Sequence, residues 1–380
     1  MPALLIRLRP LGPWRFGPGD GGHDRTDTLY RSDRLYSAVT LAMRSLGFLE
    51  EWLDATARAA VPAVAFTSLF PYQGDTLFAI PPATLWPPPL HLVTTPSPVF
   101  LTKIRWSAAH FVPLSLIDSL LTGQAVLADQ WLPDPESGCL LRRDRPSSSP
   151  FRAAWRGVAA VDRLTKSSGE VTSLACVEFE SGSGLWAVAR FQNLETESAW
   201  SERLQAAIRL LADSVFGGGR TRGWGQSQAP EFQPGAWPAL LLPKTARAHN
   251  NGHTGEATAS SYWLLSLYSP AEADQVDWTG GDYQLVVRGG HLESTVAAGT
   301  LKRQARMVSE GCVLTADSEP VGTAVNVAPD GFPHPVFRSG LALSVKLPAA
   351  QASVEELRPV EEPAVEEQLS PAPEETSFEI

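Results

Sequence analysis

Apolar and polar positions alternate along the first residues of the chain, "MPALLIRLRP". Leu4, Ile6 and Leu8 share one face, which predicts a half-buried β-strand over residues 3–9. The spacing then changes to three and four residues over "SDRLYSAVTLAMRSLG", residues 32–47, and this change predicts an amphipathic helix. Ser32 or Asp33 is expected to cap that helix.

The same pattern continues to residue 234 as a mixture of strands and helices. It predicts helices over 113–123 and 198–216. Two short strands are predicted around the turn Gln73-Gly74-Asp75, and a strand pair over 173–191 is predicted to turn at Gly182-Ser183-Gly184. A strand at 157–165 and a strand-like segment at 225–234 complete the set. Strand, helix, strand pair, helix and strand is the ferredoxin-like order. The proline-rich residues 81–98 are expected to hold no regular structure.

The fold class predicted from this order is α+β, with an N-terminal module over 1–243 that carries insertions over 81–155. Polar residues 244–258 predict a linker. Residues 259–347 are predicted to be mostly strands and to form a second module.

Charge is distributed unevenly along the 380 residues, whose net charge is −10. Residues 348–380 hold nine Glu and one Arg, a balance of −8, so the remainder is nearly neutral. This Pro- and Glu-rich tail is expected to be disordered. The three cysteines are far apart and odd in number, which favours reduced thiols in the cytoplasm over disulfides or zinc ligands. The sequence shows neither a membrane-spanning run nor the pattern of a signal peptide.

The stretch "FGGGRTRGWG", residues 216–225, follows directly on a predicted helix. Its glycines can adopt positive φ and expose consecutive amides as an anion nest. If the segment is extended, Arg220 and Arg222 point to opposite sides, and Trp224 offers an indole face to a base or a proline. A helix end with a sharp turn and exposed arginines is the alternative interpretation.

A second basic stretch lies between residues 142 and 166, where the charge balance is +5. Two aromatic residues, Phe151 and Trp155, are interleaved with its cations, as is typical of surfaces that bind single-stranded nucleic acid. A solvated basic loop remains the alternative. The candidate cations here, together with a smaller group of the same kind, are Arg142, Arg143, Arg145, Arg163, Lys166, Lys103 and Arg105.

Candidates for catalysis are few. The seven histidines form no metal-ligand motif, and no nucleophile motif is present. His23, in the glycine-rich loop over 17–25, is the best candidate for a general base of a nuclease. The sequence therefore predicts no cofactor, no metal and no catalytic residue, with an endoribonuclease that uses His23 as the alternative.

Several motifs in a fixed order resemble the RAMP subunits of type III CRISPR effector complexes, most closely the fourth Csm subunit of the Cas-five group. The motifs that carry the resemblance are "SDRLYSAV", "FPYQGDTLFAIPP", "VAAVDRLTKSSGEV", "GGGRTRGWG" and "HPVFRSGLAL". It spans residues 1–347 and leaves the tail outside. The loop at 17–25 and the proline-rich 81–98 depart from the family pattern, which leaves peripheral contacts and subtype open.

The resemblance implies two ferredoxin-like (RRM-like) RAMP modules and a non-catalytic subunit that caps one end of an antiviral ribonucleoprotein. Its implied partners are the 5′ tag of the guide RNA (crRNA), the large Cas-ten-like subunit and a neighbouring backbone RAMP subunit. The family's basic strand corresponds to Asp162, Arg163 and Lys166. Its glycine-rich motif corresponds to Gly217, Gly218, Gly219, Arg220, Arg222, Gly223 and Gly225. A further alternative is a protein-only interaction subunit that holds the large subunit through residues 81–98, with Trp86 in the contact.

Overall fold

A computed structural model describes residues 1–17, 22, 24–94, 105–144, 148–162, 164–251, 259–292 and 299–348. Those from Met1 to Pro348 belong to one compact unit. The predicted disorder of the acidic tail concerns residues 349–380, which lie outside the described part of the chain.

The described residues form an α+β fold, as predicted. The helices are α1 Ser32–Ser45, α2 Leu49–Ala55, α3 Leu114–Leu121, α4 Leu194–Ser214 and α5 Pro243–Asn251. The strands of the N-terminal half are β1 Pro2–Leu8, β2 Val64–Phe66, β3 Phe70–Gln73, β4 Thr76–Ala79, β5 Val93–Thr94, β6 Val112–Pro113, β7 Val126–Leu127, β8 Trp131–Pro133, β9 Leu140–Arg142, β10 Phe151–Val161, β11 Ser168–Phe179, β12 Ser183–Phe191 and β13 Glu231–Ala236. Those of the C-terminal half are β14 Ser260–Leu264, β15 Val276–Asp282, β16 Leu285–Arg288, β17 Ala305–Val308, β18 Val313–Ala316, β19 Gly322–Asn326, β20 Phe337–Leu341 and β21 Ser344–Lys346.

The main sheet has the strand order β13-β1-β12-β3-β4-β6, with β2 also paired to β12. Its central strand β1 pairs antiparallel with β12 from Ala3 opposite Arg190 to Leu8 opposite Leu185. Because Leu4, Leu5 and Ile6 are all buried, β1 is covered on both faces and not half-exposed as its alternation predicts.

Helices α1 and α4 pack against each other and against strands of this sheet. Helix α4 confirms the predicted helix over 198–216 but begins earlier, because Asn193 and Thr196 form a capping box. Leu204, Ile208 and Leu211 on its inner face are buried.

The long strands β10 and β11 form a two-stranded antiparallel ribbon, with Phe151 opposite Phe179. The prediction that residues 173–191 form a strand pair around Gly182 is therefore wrong. β11 pairs with β10, whereas β12 joins the main sheet. The chain reverses at Gly182 (φ +77°), but the turn connects two different sheets.

Two predicted irregular segments contain regular structure. Residues 81–94 include the 3₁₀ turns Ala83–Leu85 and Leu90–Leu92 and the short strand β5, while residues 95–98 lie outside the described residues. The predicted linker 244–258 begins within α5. The carboxylate of Asp118 accepts hydrogen bonds from the amides of Lys244 (2.9 Å) and Thr245 (2.8 Å) and so anchors the first turn of α5 to α3.

The second half is built mainly of strands, as predicted. Its largest sheet has the order β15-β18-β14-β21, and two-stranded ribbons β16-β17 and β19-β20 accompany it. β20 contacts α1, so the second half lies directly against the first helix.

Candidate functional site

The glycine-rich stretch adopts the backbone conformations predicted for it. Gly217, Gly219 and Gly225 have φ of +75°, +80° and +88°. A Cβ atom at Gly225 would lie 2.0 Å from the carbonyl oxygen of Phe216, and one at Gly217 would lie 2.5 Å from that of Arg15. Only glycine therefore fits these positions without moving the backbone.

Three amides of this loop already donate to protein carbonyls. Gly218 donates to Arg15 (3.0 Å), Gly225 to Pro13 (3.0 Å) and Arg222 to Gly219 (2.9 Å). Residues Arg220–Arg222 form a 3₁₀ turn, so the prediction of an extended segment with arginines on opposite sides is wrong. Arg222 is exposed, and the side chain of Arg220 lies outside the described part of the structure.

Trp224 lies differently from the indole platform that the sequence predicts. Its side chain is only 9% exposed and packs in a small apolar cluster with Leu174 and Cys176 of β11. A Cβ at Gly219 would lie 3.0 Å from the Trp224 ring. The indole therefore supports the glycine-rich loop from beneath and joins it to the β10–β11 ribbon.

A groove of about 800 Å³ runs beside this loop. Its lining includes residues of α1 and α2, the segments 289–292 and 334–338, and Gly217 and Gly218 of the glycine-rich loop. The groove is thus built from three parts of the chain that are distant in sequence.

The charge of the groove is mostly positive. Its lining includes one carboxylate, Asp33, together with five cationic side chains and two histidines. The cations and histidines are Arg15, Arg34, Arg44, Lys302, Arg338, His291 and His334.

Asp33 is fully engaged with two arginines from the second half of the chain. The guanidinium of Arg288 donates to both of its carboxylate oxygens, at 3.1 and 3.0 Å, and Arg338 donates to one of them. All three side chains are buried. Burial alone would raise the pKa of Asp33, but the charges of Arg288 and Arg338 outweigh it and lower that pKa below its usual range.

Neighbouring residues of α1 add a second buried connection between the halves. The hydroxyl of Ser32 accepts a hydrogen bond from the amide of Leu267 (3.0 Å). Arg31 donates to Glu310, and the hydroxyl of Ser68 also donates to that carboxylate. The prediction that Ser32 or Asp33 caps α1 is wrong, because Arg31 is the N-cap residue and makes no side-chain capping bond.

Arg34 has a buried donor in the groove that no described residue uses. One nitrogen, Nη2, donates to the carbonyl of Gly17, while the buried Nη1 has no partner among the described residues. No described carboxylate lies within ion-pair distance of it. Burial and the nearby charge of Arg288 lower the pKa of Arg34, so the protein itself stabilises this charge poorly.

Several other predicted site residues lie away from the groove. Among those described, Arg105, Arg142, Arg143 and Lys166 are absent from its lining. Arg142 pairs with Asp144 at 2.6 Å. Lys103, Arg145, Arg163 and the candidate base His23 lie outside the described residues.

The basic stretch is also less positive than its composition indicates. Arg152 and Arg156 on β10 both pair with Glu178 on β11. Trp155 is 63% exposed, and its Nε1 donates to the carbonyl of Asp24 at 3.0 Å, which fixes the ring. Trp86, the proposed protein-contact residue, is partly buried against Trp106 with ring centroids 5.2 Å apart.

Within the described ranges, no group of three or more His, Cys, Asp or Glu residues could hold a metal ion. None of the described helices is both long enough and apolar enough to cross a membrane. The three cysteines are buried and form no disulfide.

Comparison with known families gives a match for the C-terminal part of the chain. Residues 257–347 match the CRISPR Csm4 C-terminal domain. No curated protein matches the sequence.

Solved structures share the fold over nearly the whole chain. A chain of the Csm3-Csm4 subcomplex in the type III-A CRISPR-Cas interference complex superposes with a TM-score of 0.55 at 14% identity, covering 90% of this chain and 98% of that one. A chain of a Csm1-Csm4 cassette in complex with cA4 gives a TM-score of 0.52 at 17% identity, covering 92% and 98%. The chain therefore shares the fold of these structures, and its residues 257–347 are similar to the CRISPR Csm4 C-terminal domain.

Proposed function

We propose that the groove beside the glycine-rich loop binds the 5′ tag of a guide RNA. In this role the chain is a non-catalytic subunit that caps one end of a type III CRISPR effector complex and serves antiviral defence in the cytoplasm. The observation that carries the proposal is the buried, unpaired Nη1 of Arg34 in a groove lined by five cations and one neutralised carboxylate. A buried guanidinium nitrogen without a partner is stabilised by an anionic ligand that accepts its hydrogen bond.

Phosphate is the anion that best fits this lining. Arginine matches phosphate geometry with two parallel donors, and cations spaced along a groove follow a polynucleotide backbone. Arg34 and Arg44 lie on one helix, ten residues apart, which is about 15 Å along its axis. This length suits a strand of more than one nucleotide better than a single free phosphate.

The topology supports a ferredoxin-like arrangement of the N-terminal module. In chain order its elements are β1, α1, β3, β12, α4 and β13, and the corresponding strands lie in the order β13-β1-β12-β3. We propose the same class of module for residues 259–347. A sheet of this kind with basic loops is a common platform for single-stranded RNA.

The proposed partners follow from the relatives. Chains with this fold occur in complexes named for Csm1 and Csm4 and for Csm3 and Csm4. We therefore propose a Csm1-like large subunit and a Csm3-like backbone subunit as the protein partners of this chain. Since RNA is then held by several subunits at once, each contact can be weak while the assembly binds tightly.

The test measures guide RNA retained by the purified complex. Arg34→Gln removes the charge within the groove, and joint Arg220→Glu and Arg222→Glu changes test the glycine-rich loop. Arg58→Gln is the matched control, because Arg58 is an exposed arginine that follows α2 and is already paired with Glu50 and Asp54. We expect Arg34→Gln to lower guide content and to reduce the salt dependence of RNA binding, with the control unchanged. Unchanged guide content in both groove and loop variants contradicts the proposal.

A further inference from the structure

We propose that the leucine-lined part of the groove holds one unstacked base of the bound strand, with phosphates on either side of it at Arg34 and Arg44. The inference rests on the proposed RNA-binding function and adds a specific subsite to it. The subsite consists of Leu41 on α1 and Leu49 on α2, both in the lining of the groove.

The order of chemical groups along α1 defines the subsite. Arg34 lies at one end beside Gly17, Ser37 and Leu41 follow on the same face, and Arg44 comes near the end of the helix. Leu41 is seven residues beyond Arg34, about 10 Å along the axis. The groove therefore presents a cation, an apolar wall and a second cation in sequence.

The two leucines are not required by the hydrophobic core. Both are partly exposed, and neither belongs to an apolar cluster formed by the described residues, whereas the neighbouring Leu46 and Leu53 pack against the main core. Water thus covers apolar surface inside a concave groove, and a flat apolar ligand gains free energy by displacing it.

A base fits this alternation better than a protein side chain does. In an extended RNA strand, bases turn away from the backbone and bind apolar or aromatic surfaces while cations hold the flanking phosphates. The hydroxyl of Ser37, one turn before Leu41, makes no hydrogen bond with any described residue and lies in the same lining. It can bond the edge of a base that enters between the leucines.

The experiment uses the full chain and a synthetic single-stranded RNA with the sequence of the guide's repeat-derived 5′ tag. An abasic site is moved along the RNA one nucleotide at a time, and affinity is measured by fluorescence anisotropy. Stacking on an aromatic side chain is worth about 5- to 150-fold in affinity per base, and we expect contact with two leucines to be worth a loss in the lower part of this range. We expect a loss of this size at one position and much smaller losses elsewhere.

The protein variants locate that base. In the joint Leu41→Ser and Leu49→Ser variant, the intact RNA should bind as weakly as the critical abasic RNA, and combining the two changes should add little. Leu194→Ser, a 74% exposed leucine at the start of α4, is the matched control and should leave the abasic profile unchanged. Circular dichroism and thermal melting verify that the leucine variant is folded.

Failure of this inference differs from failure of the proposed function. If Arg34→Gln weakens RNA binding but every abasic RNA binds alike, the strand is held only through its phosphates and the base subsite is wrong. Additive effects of the leucine and abasic changes also overturn the subsite. If the leucine variant instead loses a partner subunit while its RNA affinity is unchanged, the groove wall binds protein. If no RNA binds to the chain or to the assembled complex, the proposed function itself fails.

Discussion

Removing the negative charge of Asp33 should destabilise the protein strongly, because that charge compensates two buried cations. The Asp33 side chain is fully buried, and those of Arg288 and Arg338 are 4% and 8% exposed. Asp33→Asn keeps the shape of the residue but leaves two guanidiniums without a counter-charge. Breaking a buried pair from one side typically costs about 3–5 kcal/mol, and we expect a loss in this range in the free energy of unfolding.

The assay is urea unfolding of the full chain, followed by tryptophan fluorescence. The matched control is Asp54→Asn, which removes a carboxylate that is paired with one arginine and whose side chain is 67% exposed. Exposed pairs of this kind contribute about 0.3–0.5 kcal/mol. If Asp33→Asn costs no more than the control, the two buried arginines do not depend on this carboxylate. Our interpretation of the contact between Asp33, Arg288 and Arg338 is then wrong.

The difference between wild type and Asp33→Asn should also depend on pH, with a defined sign. Because the pKa of Asp33 is lowered in the folded state, its contribution is fully present above the unfolded value of about 3.9 and is lost as pH falls towards the folded value. Glu310, whose pKa is raised mainly by burial, has the opposite sign and is shared by both proteins. The stability difference should therefore shrink below about pH 4, and a difference that grows on acidification contradicts the assignment.

Three further changes test other parts of the structure. Gly225→Ala should lower the free energy of unfolding by more than the roughly 1–2 kcal/mol expected for the control Gly74→Ala. Both glycines have positive φ, but only at Gly225 does a backbone atom occupy the place of the Cβ. Equal losses of the two variants in urea unfolding contradict this prediction. Glu178→Gln should release two arginines of β10 and steepen the salt dependence of RNA binding, with less than about 1 kcal/mol lost in stability; an unchanged slope places the ribbon away from RNA. Asp118→Ala should cost about 1–2 kcal/mol through loss of the bonds to the first turn of α5, and a thermal melt unchanged from wild type contradicts that role.

Much of the fold could be predicted because its signals are local. The spacing of apolar residues predicts α1 and α4, and the residues Gln73-Gly74-Asp75 predict the turn between β3 and β4. Which strands pair is harder to predict than where they lie. Gly182 marks a reversal of the chain, but a reversal does not determine which sheet the next strand joins. The helix α5 was missed because its stabilising carboxylate, Asp118, comes from a distant part of the chain.

The groove could not be predicted because its residues meet only after folding. Arg34 reads as an ordinary polar position of an amphipathic helix, and Lys302 has no motif around it. The signals in the sequence are the arginines inside two of the motifs that carry the resemblance, Arg34 in "SDRLYSAV" and Arg338 in "HPVFRSGLAL". The basic stretch over 142–166 is less positive than its own residues indicate, because Glu178, which pairs with Arg152 and Arg156, lies outside it in sequence.

Asp33 also determines where the chain can be divided. The segment 257–347, recognisable by sequence alone as a domain, contains Arg288 and Arg338 but not the carboxylate that they share. Expressed by itself, this fragment would place two orphaned guanidiniums on a newly uncovered surface. What sequence comparison delimits as a domain is, electrostatically, only part of a folding unit.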